Sequence, residues 1–439
     1  MSSDASNKIE DPKNDIKPLD DPQWCFKQAN SRCDDTDVQH TCKNLCARFL
    51  ASKEMIRSCF NEEENGETNT KASDGEDFNL DLFRKLALAT NPLSSLFVSP
   101  YSFVSAFVLT YFGSAGKTEQ KLRKVLNVKG KEHAYNSYFN FLQPHSTSLS
   151  AGTVFRSSNN VFIDNNIPLR ECITSALPNV KKLDISNPTT AAREINEQIL
   201  EATTWEINDL VTPEDIHDKS LLLVNAAYFK GIWKPRFKKE LTTRSVFHDE
   251  NNKSIGEVDM MNDPQREVLY VDSQELKSEL VGIPCGDSSI TMFLILPHNN
   301  YNVRTVLKNL TPHSLNKALQ DSVKETLKLS IPKFKMQTRM DHDLRKVIKT
   351  IFRPLFTKKT NFSGFTDAPI HIHKLLHKAV VDITEEGDDD RNHRQSRSSK
   401  RKIKFNRPFV YLIRDTFGSG TTLFAGVFRS ANDVDPNEE

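Results

Sequence analysis

The sequence LLLVNAAYF occupies residues 221–229 and is followed by Lys230 and Gly231. It is apolar and β-rich, which predicts a buried strand. Five later segments have the same character and are bounded by Pro, Gly or charged turns. They are ITMFLILP at 290–297, LKLSIP at 327–332, KAVVDI at 378–383, PFVYLI at 408–413 and TLFAGVF at 422–428. The second half of the chain therefore predicts large sheets.

Upstream of residue 221 the apolar pattern changes to a helical one. Phe78, Leu82, Phe83, Leu86 and Leu88 recur near helical spacing, and Asn91-Pro92 predicts the end of that helix. SFVSAFVLTYF, residues 102–112, is apolar all round, which predicts a helix buried inside a large domain. AAREINEQILEATTWEINDLV, residues 191–211, is also interpreted as helical. Helices dominate early and strands late, so we predict an α+β domain with mainly antiparallel sheets.

The bulk properties exclude several classes of protein. The chain has 439 residues and a net charge of +1, so no global field favours nucleic acid or an anionic membrane. No apolar run reaches the length that a membrane span needs. We predict a polar, Cys-bearing extension and linker at residues 1–74, one domain at 75–432 and a short acidic tail at 433–439.

Five of the seven cysteines lie in the polar N-terminal extension: Cys25, Cys33, Cys42, Cys46 and Cys59. Small polar segments of this kind usually need disulfides to fold. The extension contains no CxxC pair of the kind that would indicate a zinc site. Five cysteines cannot all pair among themselves, so one bonds a second chain, joins Cys172 or Cys285, or stays free. N-x-S/T sequons, which are acceptor sites for N-glycosylation, occur at Asn252, Asn309 and Asn361 and fit a secreted protein. We expect a secreted, extracellular glycoprotein whose signal peptide is not present in this sequence.

Residues 385–404, EEGDDDRNHRQSRSSKRKIK, form the one strongly biased segment inside the domain. Its charges exclude burial, and its apolar flanks predict an exposed loop tied at both ends. Arg394, Arg397 and Arg401 are basic sites of the kind that trypsin-like and furin-like proteases cut. The run also resembles sites for heparin-like polyanions, and a simple solvated charge run is the remaining alternative.

Other motifs carry less chemistry. GSAGKT at residues 113–118 resembles part of a phosphate-binding loop, but Tyr111 stands where a glycine is needed, so a turn between helices is favoured. His371, His373 and His377 could share a strand face, yet no Cys or carboxylate pattern accompanies them. No nucleophile motif is present. We expect no enzyme activity, no metal and no required cofactor.

From Phe78 to Phe428 the chain resembles the serpin family. The order and spacing of many short motifs carry this resemblance: Ser99-Pro100-x-Ser102, Phe112-Gly113-x-x-Gly116-x-Thr118, Asn196, Thr203 to Leu210, Asn225-Ala226-x-Tyr228-Phe229-x-Gly231-x-Trp233, Phe237, Ile331-Pro332-Lys333-Phe334, Asn361-Phe362-Ser363-Gly364, His377-Lys378-Ala379, Glu385-Glu386-Gly387, Pro408-Phe409 and Phe424-x-Gly426. The resemblance implies about nine helices, a breach and shutter region that includes Ser99, Asn225, Trp233 and His377, and a reactive-centre loop at about 385–407. The Cys-bearing extension and Cys172 are similar to those of some secreted arthropod serpins that restrain clip-domain protease cascades.

The family mechanism is suicide inhibition. The catalytic serine of a protease attacks the reactive bond of the loop, breaks that peptide bond and becomes acylated by the N-terminal part of the loop, which then enters the main sheet as a new strand. The hinge of this loop comprises Glu385, Glu386 and Gly387, followed by Asp388 and Asp390. Counting from Gly387, the side chains that would turn inward are Asp388, Asp390, Asn392, Arg394 and Ser396. Working inhibitors usually carry small residues here, and unpaired buried charges oppose insertion by at least several kcal/mol.

The position of the reactive bond depends on the direction of counting. Counting back from Pro408-Phe409 places it at Arg397–Ser398, whereas counting forward from Gly387 places it at Arg401–Lys402. The counts differ because the loop is about four residues shorter than is usual, which corresponds to roughly 13 Å of extended strand. Arg-Ser is a common reactive pair, and Arg394 adds a second base, so Arg397–Ser398 is favoured.

Two classes of function remain open at this point. One is a suicide inhibitor of trypsin-like serine proteases, including clip-domain or furin-like ones, each with an acidic specificity pocket. The other is a non-inhibitory serpin that acts as a carrier, a chaperone or a cleavable binding module. The charged hinge favours a non-inhibitory serpin, whereas the basic residues of the loop favour a suicide inhibitor. A monomer is expected, with a disulfide-linked dimer as an alternative.

Overall fold

The computed structural model describes residues 43, 54–55, 58–59, 76–135, 154–216, 221–286, 290–351, 353–387, 401–416 and 420–431. The chain divides into two compact units, Met1–Met55 and Ile56–Glu439. In the first unit only Lys43, Glu54 and Met55 are described. The fold below is therefore that of the second unit. The predicted domain boundaries at 74 and 433 lie outside the described residues and stay predictions.

Eight α-helices lie wholly within the described residues, and residues 131–135 are also helical. They are α1 Glu76–Ala89, α2 Pro100–Gly113, α3 Gly116–Leu126, α4 Glu171–Ala176, α5 Pro188–Ala202, α6 Val303–Asn309, α7 Pro312–Asp321 and α8 His342–Ile351.

The described strands are β1 Leu96–Val98, β2 Val154–Asp164, β3 Val180–Leu183, β4 Leu221–Trp233, β5 Thr243–His248, β6 Ser254–Ser273, β7 Ser278–Pro284, β8 Ile290–Pro297, β9 Val323–Pro332, β10 Phe334–Met340, β11 Ile372–Gly387, β12 Lys402–Lys404, β13 Phe409–Asp415 and β14 Thr422–Phe428. All six segments that the sequence predicted to be strands lie within β4, β8, β9, β11, β13 or β14, apart from single flanking residues.

The strands form two sheets. The larger has nine strands in the order β1-β14-β13-β8-β7-β6-β9-β12, with β5 added on β6. The smaller has five strands in the order β10-β11-β4-β2-β3. Most pairs are antiparallel, as predicted, but β4 and β11 run parallel at the centre of the five-stranded sheet. This parallel pair matters for function because the segment after β11 is the predicted reactive loop.

Alternate side chains of β11 enter two different apolar cores, as the two-residue period of a strand requires. Ala379, Val381 and Ile383 belong to the core between the two sheets. Leu376 and Val380 belong to the core under α5, together with residues of that helix. The five-stranded sheet is thus buried on both faces here, and any strand added to it must present side chains to both cores.

Helix α2 is buried along almost its whole length, as its apolar sequence predicts. Ser99 is its N-cap: the Ser99 Oγ accepts a hydrogen bond from the Ser102 N–H, and Pro100 occupies the first turn. Helix α2 ends at Gly113 and α3 begins at Gly116, so GSAGKT forms a turn between helices, as predicted.

The prediction of a helix through residue 211 was wrong. Helix α5 ends at Ala202, and Thr204, Trp205 and Asp209 have positive φ angles, which are incompatible with a right-handed helix. The side chain of Asn196 explains what replaces the helix. Its Oδ1 accepts hydrogen bonds from the N–H groups of Leu210 and Val211, and this fixes residues 203–211 as a connection back along α5.

No helix among the described residues is long and apolar enough to cross a membrane.

Candidate functional site

The described end of β11 is packed tightly against the turn that follows β4. Gly387 lies opposite Trp233 in the strand register, and the Trp233 indole N–H donates to the Thr384 carbonyl at 2.6 Å. A Cβ on Gly387 would lie 2.0 Å from the Trp233 carbonyl oxygen, so only glycine fits. The predicted hinge residue and the predicted breach residue are therefore in direct contact.

Glu385 is tied to two other elements of the fold. Its carboxylate accepts a hydrogen bond from Thr242 Oγ1 at 2.8 Å and lies 3.6 Å from Lys333 Nζ. Burial alone would raise the pKa of Glu385, but the Thr242 hydrogen bond and the positive charge of Lys333 outweigh it and hold the pKa below its usual value. Glu386 makes a separate ion pair with Lys230 at 2.8 Å. These contacts fix the end of β11 against Thr242, Lys333 and Lys230.

Halfway along β11, three of the residues predicted to form the shutter meet in a buried cluster. His377 and Asn225 are register partners and are both fully buried, as is Ser99. The Ser99 N–H donates to His377 Nε2 at 3.2 Å, and the Ser99 hydroxyl donates to the Leu423 carbonyl at 2.8 Å. The Asn225 amide donates to the Ser102 carbonyl. The cluster joins the start of α2 to both central strands, and its role as a shutter stays a prediction.

The stability of the protein should depend on the protonation of His377. Burial lowers its pKa to about 3, because the charged ring would lose water and its Nε2 already accepts a hydrogen bond. The folded pKa lies below the unfolded value of about 6.5. Stability from this group is therefore fully present above pH 6.5 and is lost as pH falls toward 3, by about 1.4 kcal/mol per pH unit.

Urea unfolding at pH 7.5, 6.0 and 5.0, followed by tryptophan fluorescence, measures this loss. We expect a fall of about 2 kcal/mol in the free energy of unfolding between pH 7.5 and 5.0. The variant His377→Gln keeps an acceptor but does not titrate, so its slope over this range should be shallower. An equal slope for both proteins would remove His377 as the cause.

The other histidines do not join His377. Its ring packs on Phe103 at 4.4 Å between centroids. His373 instead lines a small cavity with Asp164 and Asp215, near the start of β11. Within the described part of the chain, no three His, Cys, Asp or Glu side chains are grouped as metal ligands.

After the predicted loop, the described residues resume at Arg401. The Arg401 carbonyl accepts from the Lys328 N–H, and Lys402 starts β12, which pairs parallel with β9. The Arg401 guanidinium donates to Glu325 at 2.9 Å and to the Tyr270 hydroxyl at 2.7 Å, and it lies 4.4 Å from the Tyr270 ring centre. Lys402 is thus part of the nine-stranded sheet, and Arg401 is bound to its strands through its backbone and side chain. Asp388, Asp390, Arg397 and Ser398 lie outside the described residues.

Cys59, one of the five cysteines of the N-terminal extension, forms a disulfide. Cys59 and Cys172 form a disulfide, with a Cα–Cα distance of 5.4 Å, between the N-terminal segment and α4. Cys285 is buried and is not part of a disulfide. Cys25, Cys33, Cys42 and Cys46 lie outside the described residues. Among the sequons, Asn252 and Asn361 are exposed and Asn309 is half-buried at the end of α6.

Sequence reasoning missed three residues around the hinge. Thr242 lies in a short connection with no motif of its own. Lys333 was noted only as part of the Ile-Pro-Lys-Phe motif. Arg266 is fully buried beside the turn after β4, in a strand where alternation predicts no buried charge. A β-bulge at residues 264–265 changes the alternation, and a bulge has no clear signal in the sequence.

Together, these contacts fix the residues on both sides of the predicted loop: the end of β11 lies in the five-stranded sheet, and β12 is an edge strand of the nine-stranded sheet. Residues 73–431 match the serpin (serine protease inhibitor) family model. The chain belongs to the serpin family.

Individual relatives agree with this assignment. The chain is 28% identical to serine protease inhibitor 88Ea of Drosophila melanogaster over 376 residues, which is 79% of this chain and 87% of the relative. It is 27% identical to human leukocyte elastase inhibitor, over 80% of this chain and 97% of the relative. The crystal structure of Manduca sexta serpin-12 has the same fold, with a TM-score of 0.73 and 22% identity over 84% of this chain and 99% of that one. The resemblance to arthropod serpins is confirmed.

Proposed function

We propose that this chain inhibits trypsin-like serine proteases by loop insertion, with Arg397–Ser398 as the reactive bond. The target carries an acidic specificity pocket that accepts the arginine side chain. Acylation frees the N-terminal part of the loop, which then enters the five-stranded sheet and carries the protease with it. The proposal combines the family membership with the sheet topology and the basic loop.

The observation that carries the proposal is the parallel pairing of β4 with β11. The loop leaves the C-terminal end of β11, so a loop that folds back must run antiparallel to it. A strand inserted between β4 and β11 would be antiparallel to both. Because β10 and β2 are already antiparallel to these strands, insertion would replace the weaker parallel pairing by an arrangement that is antiparallel from β10 to β2. This gain provides the driving force.

The contacts of Arg401 support Arg397–Ser398 over Arg401–Lys402. A protease must bind several residues of the loop in extended form on both sides of the cut bond. Arg401 is held by Glu325 and Tyr270, and Lys402 is already paired in β12. Cleavage after Arg401 would first require these contacts to break. Arg397 lies four residues before this anchor.

We also propose that the protein works outside the cell. The Cys59–Cys172 disulfide is typical of an oxidising compartment, and the exposed sequons Asn252 and Asn361 suit the same location. Secretion would place the inhibitor where trypsin-like proteases act.

The decisive experiment mixes the purified protein with trypsin, and in parallel with a furin-like protease, and separates the products on denaturing gels. We expect a covalent complex that survives SDS, together with a C-terminal fragment that begins at Ser398. A fragment beginning at Lys402 would move the reactive bond to Arg401.

Cleavage without any complex would support the second candidate function, a non-inhibitory serpin that is cut as a substrate. The specific observation behind this alternative is the hinge sequence, where Asp388 and Asp390 would turn inward on insertion. Two buried carboxylates slow insertion, and a slow loop lets the protease deacylate and leave.

A further inference from the structure

Helix α3 presents a row of lysine side chains to solvent on one face. Lys117, Lys121 and Lys124 are exposed and occupy positions i, i+4 and i+7 of this helix, whose apolar residues are buried on another side. Residues at these spacings are neighbours on one face of a helix. At a rise of 1.5 Å per residue, the three charges are spread over about 10 Å along the helix axis.

A neighbouring loop adds two more lysines beside the start of α3. The Asn361 carbonyl accepts a hydrogen bond from the Ala115 N–H at 3.0 Å, and the Asn361 N–H donates to Thr118 Oγ1 at 2.9 Å. Lys358 and Lys359 lie three and two residues before this contact, and both are exposed. Because consecutive Cα atoms are about 3.8 Å apart, both lysines lie close to the first turn of α3. The α3 lysine surface is defined as Lys117, Lys121, Lys124, Lys358 and Lys359.

The carboxylates nearest in sequence to this surface are paired with other cations. Glu119, in the same helix, lies 3.6 Å from Lys131 Nζ. Asp367, later in the same loop, lies 2.7 Å from Arg170. Lys117, Lys124, Lys358 and Lys359 form no ion pair with another of the described residues. These four positive charges are therefore not neutralised within the described part of the chain.

This clustering of positive charge is unfavourable for the helix. Like charges four residues apart, as at Lys117 and Lys121, destabilise a helix, and Lys117 also lies at the positive end of the helix dipole. The positive charge continues along the loop: burial lowers the pKa of His371, and the charges of Lys358 and Arg345 lower it further. A local arrangement that costs stability without an internal compensation indicates a functional site.

The chemistry of the surface favours one class of anionic partner. The charges extend over a helix face and a loop, so they match a chain of many charges and not a single small anion. The surface has no exposed aromatic side chain on which nucleic-acid bases stack, and no large apolar side chain that enters a membrane. Among the described residues, the exposed large apolar side chains are all in other segments: Leu93, Trp205, Val246, Tyr301 and Val323.

We propose that the α3 lysine surface binds a sulfated polysaccharide, whose sulfate groups pair with the five lysines. A polymer of this kind has a high density of negative charge and neither bases nor acyl chains. The proposal places polyanion binding on the folded domain, whereas the sequence alone suggested the basic run at residues 391–404. It does not depend on protease inhibition, so the proposed function and this inference stand or fail separately.

Binding of a heparin fragment, measured by titration calorimetry, tests this surface. The triple variant Lys117→Gln, Lys121→Gln, Lys124→Gln removes three charges and keeps residues that favour a helix. We expect its affinity to fall by about tenfold or more, and its dependence on NaCl between about 50 and 200 mM to be shallower, because fewer ion contacts form. An unchanged melting temperature shows that the variant is folded. N-glycans are removed first, because the sequon residue Asn361 lies beside the surface.

Two control variants make the assignment specific to α3. The triple variant Lys253→Gln, Lys308→Gln, Lys328→Gln removes the same charge from exposed lysines elsewhere. The variant Arg394→Gln, Arg397→Gln removes charge from the predicted loop. We expect both controls to stay within about threefold of the wild type, as exposed charges outside the site contribute little.

Three outcomes would overturn the proposal. One is an unchanged affinity of the α3 variant for heparin. Another is a loss of affinity in either control variant that equals or exceeds the loss in the α3 variant, since the binding would then depend on net charge or on the loop. The third is an equal affinity of the wild type for a DNA duplex, which would show attraction to any polyanion and no preference for a sulfated polysaccharide.

Discussion

Replacing Arg397 with glutamine is expected to lower the rate constant for complex formation with trypsin by about a thousandfold or more. The specificity pocket of a trypsin-like protease contains a buried carboxylate that binds the arginine side chain. Glutamine leaves that carboxylate unpaired, and sites built to bind a polar group reject a substrate that lacks it by factors of about 10⁴. The second-order rate constant, measured from the progressive loss of trypsin activity, gives the effect directly.

The matched control is Arg401→Gln. It removes the same charge four residues later, but Arg401 is already bound to Glu325 and Tyr270 in the nine-stranded sheet. We expect its rate constant to stay within a few-fold of the wild type. If the two variants behave the other way round, Arg401–Lys402 is the reactive bond and β12 opens before the protease binds.

The second large effect concerns the inward-facing charges of the hinge. The double variant Asp390→Ala, Arg394→Ala should lower the number of inhibitor molecules consumed per trapped protease by about tenfold. Each of these side chains would be buried without a partner on insertion, at a penalty of several kcal/mol. Because insertion competes with deacylation, each 1.4 kcal/mol removed from its barrier makes insertion about tenfold faster. Titration of trypsin with each variant gives the consumption ratio.

The control for this variant removes similar charges from the outward face. Asp389→Ala, Arg391→Ala deletes one carboxylate and one guanidinium, yet on insertion these side chains would point to the opposite face from Asp390 and Arg394. We expect a consumption ratio close to that of the wild type. Equal improvement in both variants would show that net loop charge, and not inward orientation, limits inhibition.

The two experiments separate recognition from insertion. A change at Arg397 alters whether a protease attacks the loop at the proposed reactive bond. A change at Asp390 alters what happens after acylation, since trypsin still meets Arg397. A protein that loses cleavage in the first variant and gains complex in the second would be an inhibitor whose charged hinge limits its efficiency.

Local patterns were sufficient for most of the elements. The apolar run at 102–112 predicted a buried helix, and α2 is buried along its length because every side of it meets another element. The β-rich segments predicted strands within β4 and β11. The helical interpretation of residues 203–211 was wrong because the helical periodicity of the sequence continues past Ala202, where the helix ends. The hydrogen bonds that the Leu210 and Val211 N–H groups donate to the Asn196 side chain are tertiary contacts, and local periodicity does not show them.

The sequence by itself determined the family, the alternation of the strands, and the charges of the loop from Glu385 to Lys404. These depend on neighbouring residues and on spacing along the chain. Only the tertiary structure decided that β4 and β11 are parallel neighbours, that Glu385 meets Lys333 and Thr242, and that Arg266 is buried beside the turn that holds Gly387. These contacts join segments that are far apart in sequence. They depend on strand order, register and one bulge, which no local pattern of residue types specifies.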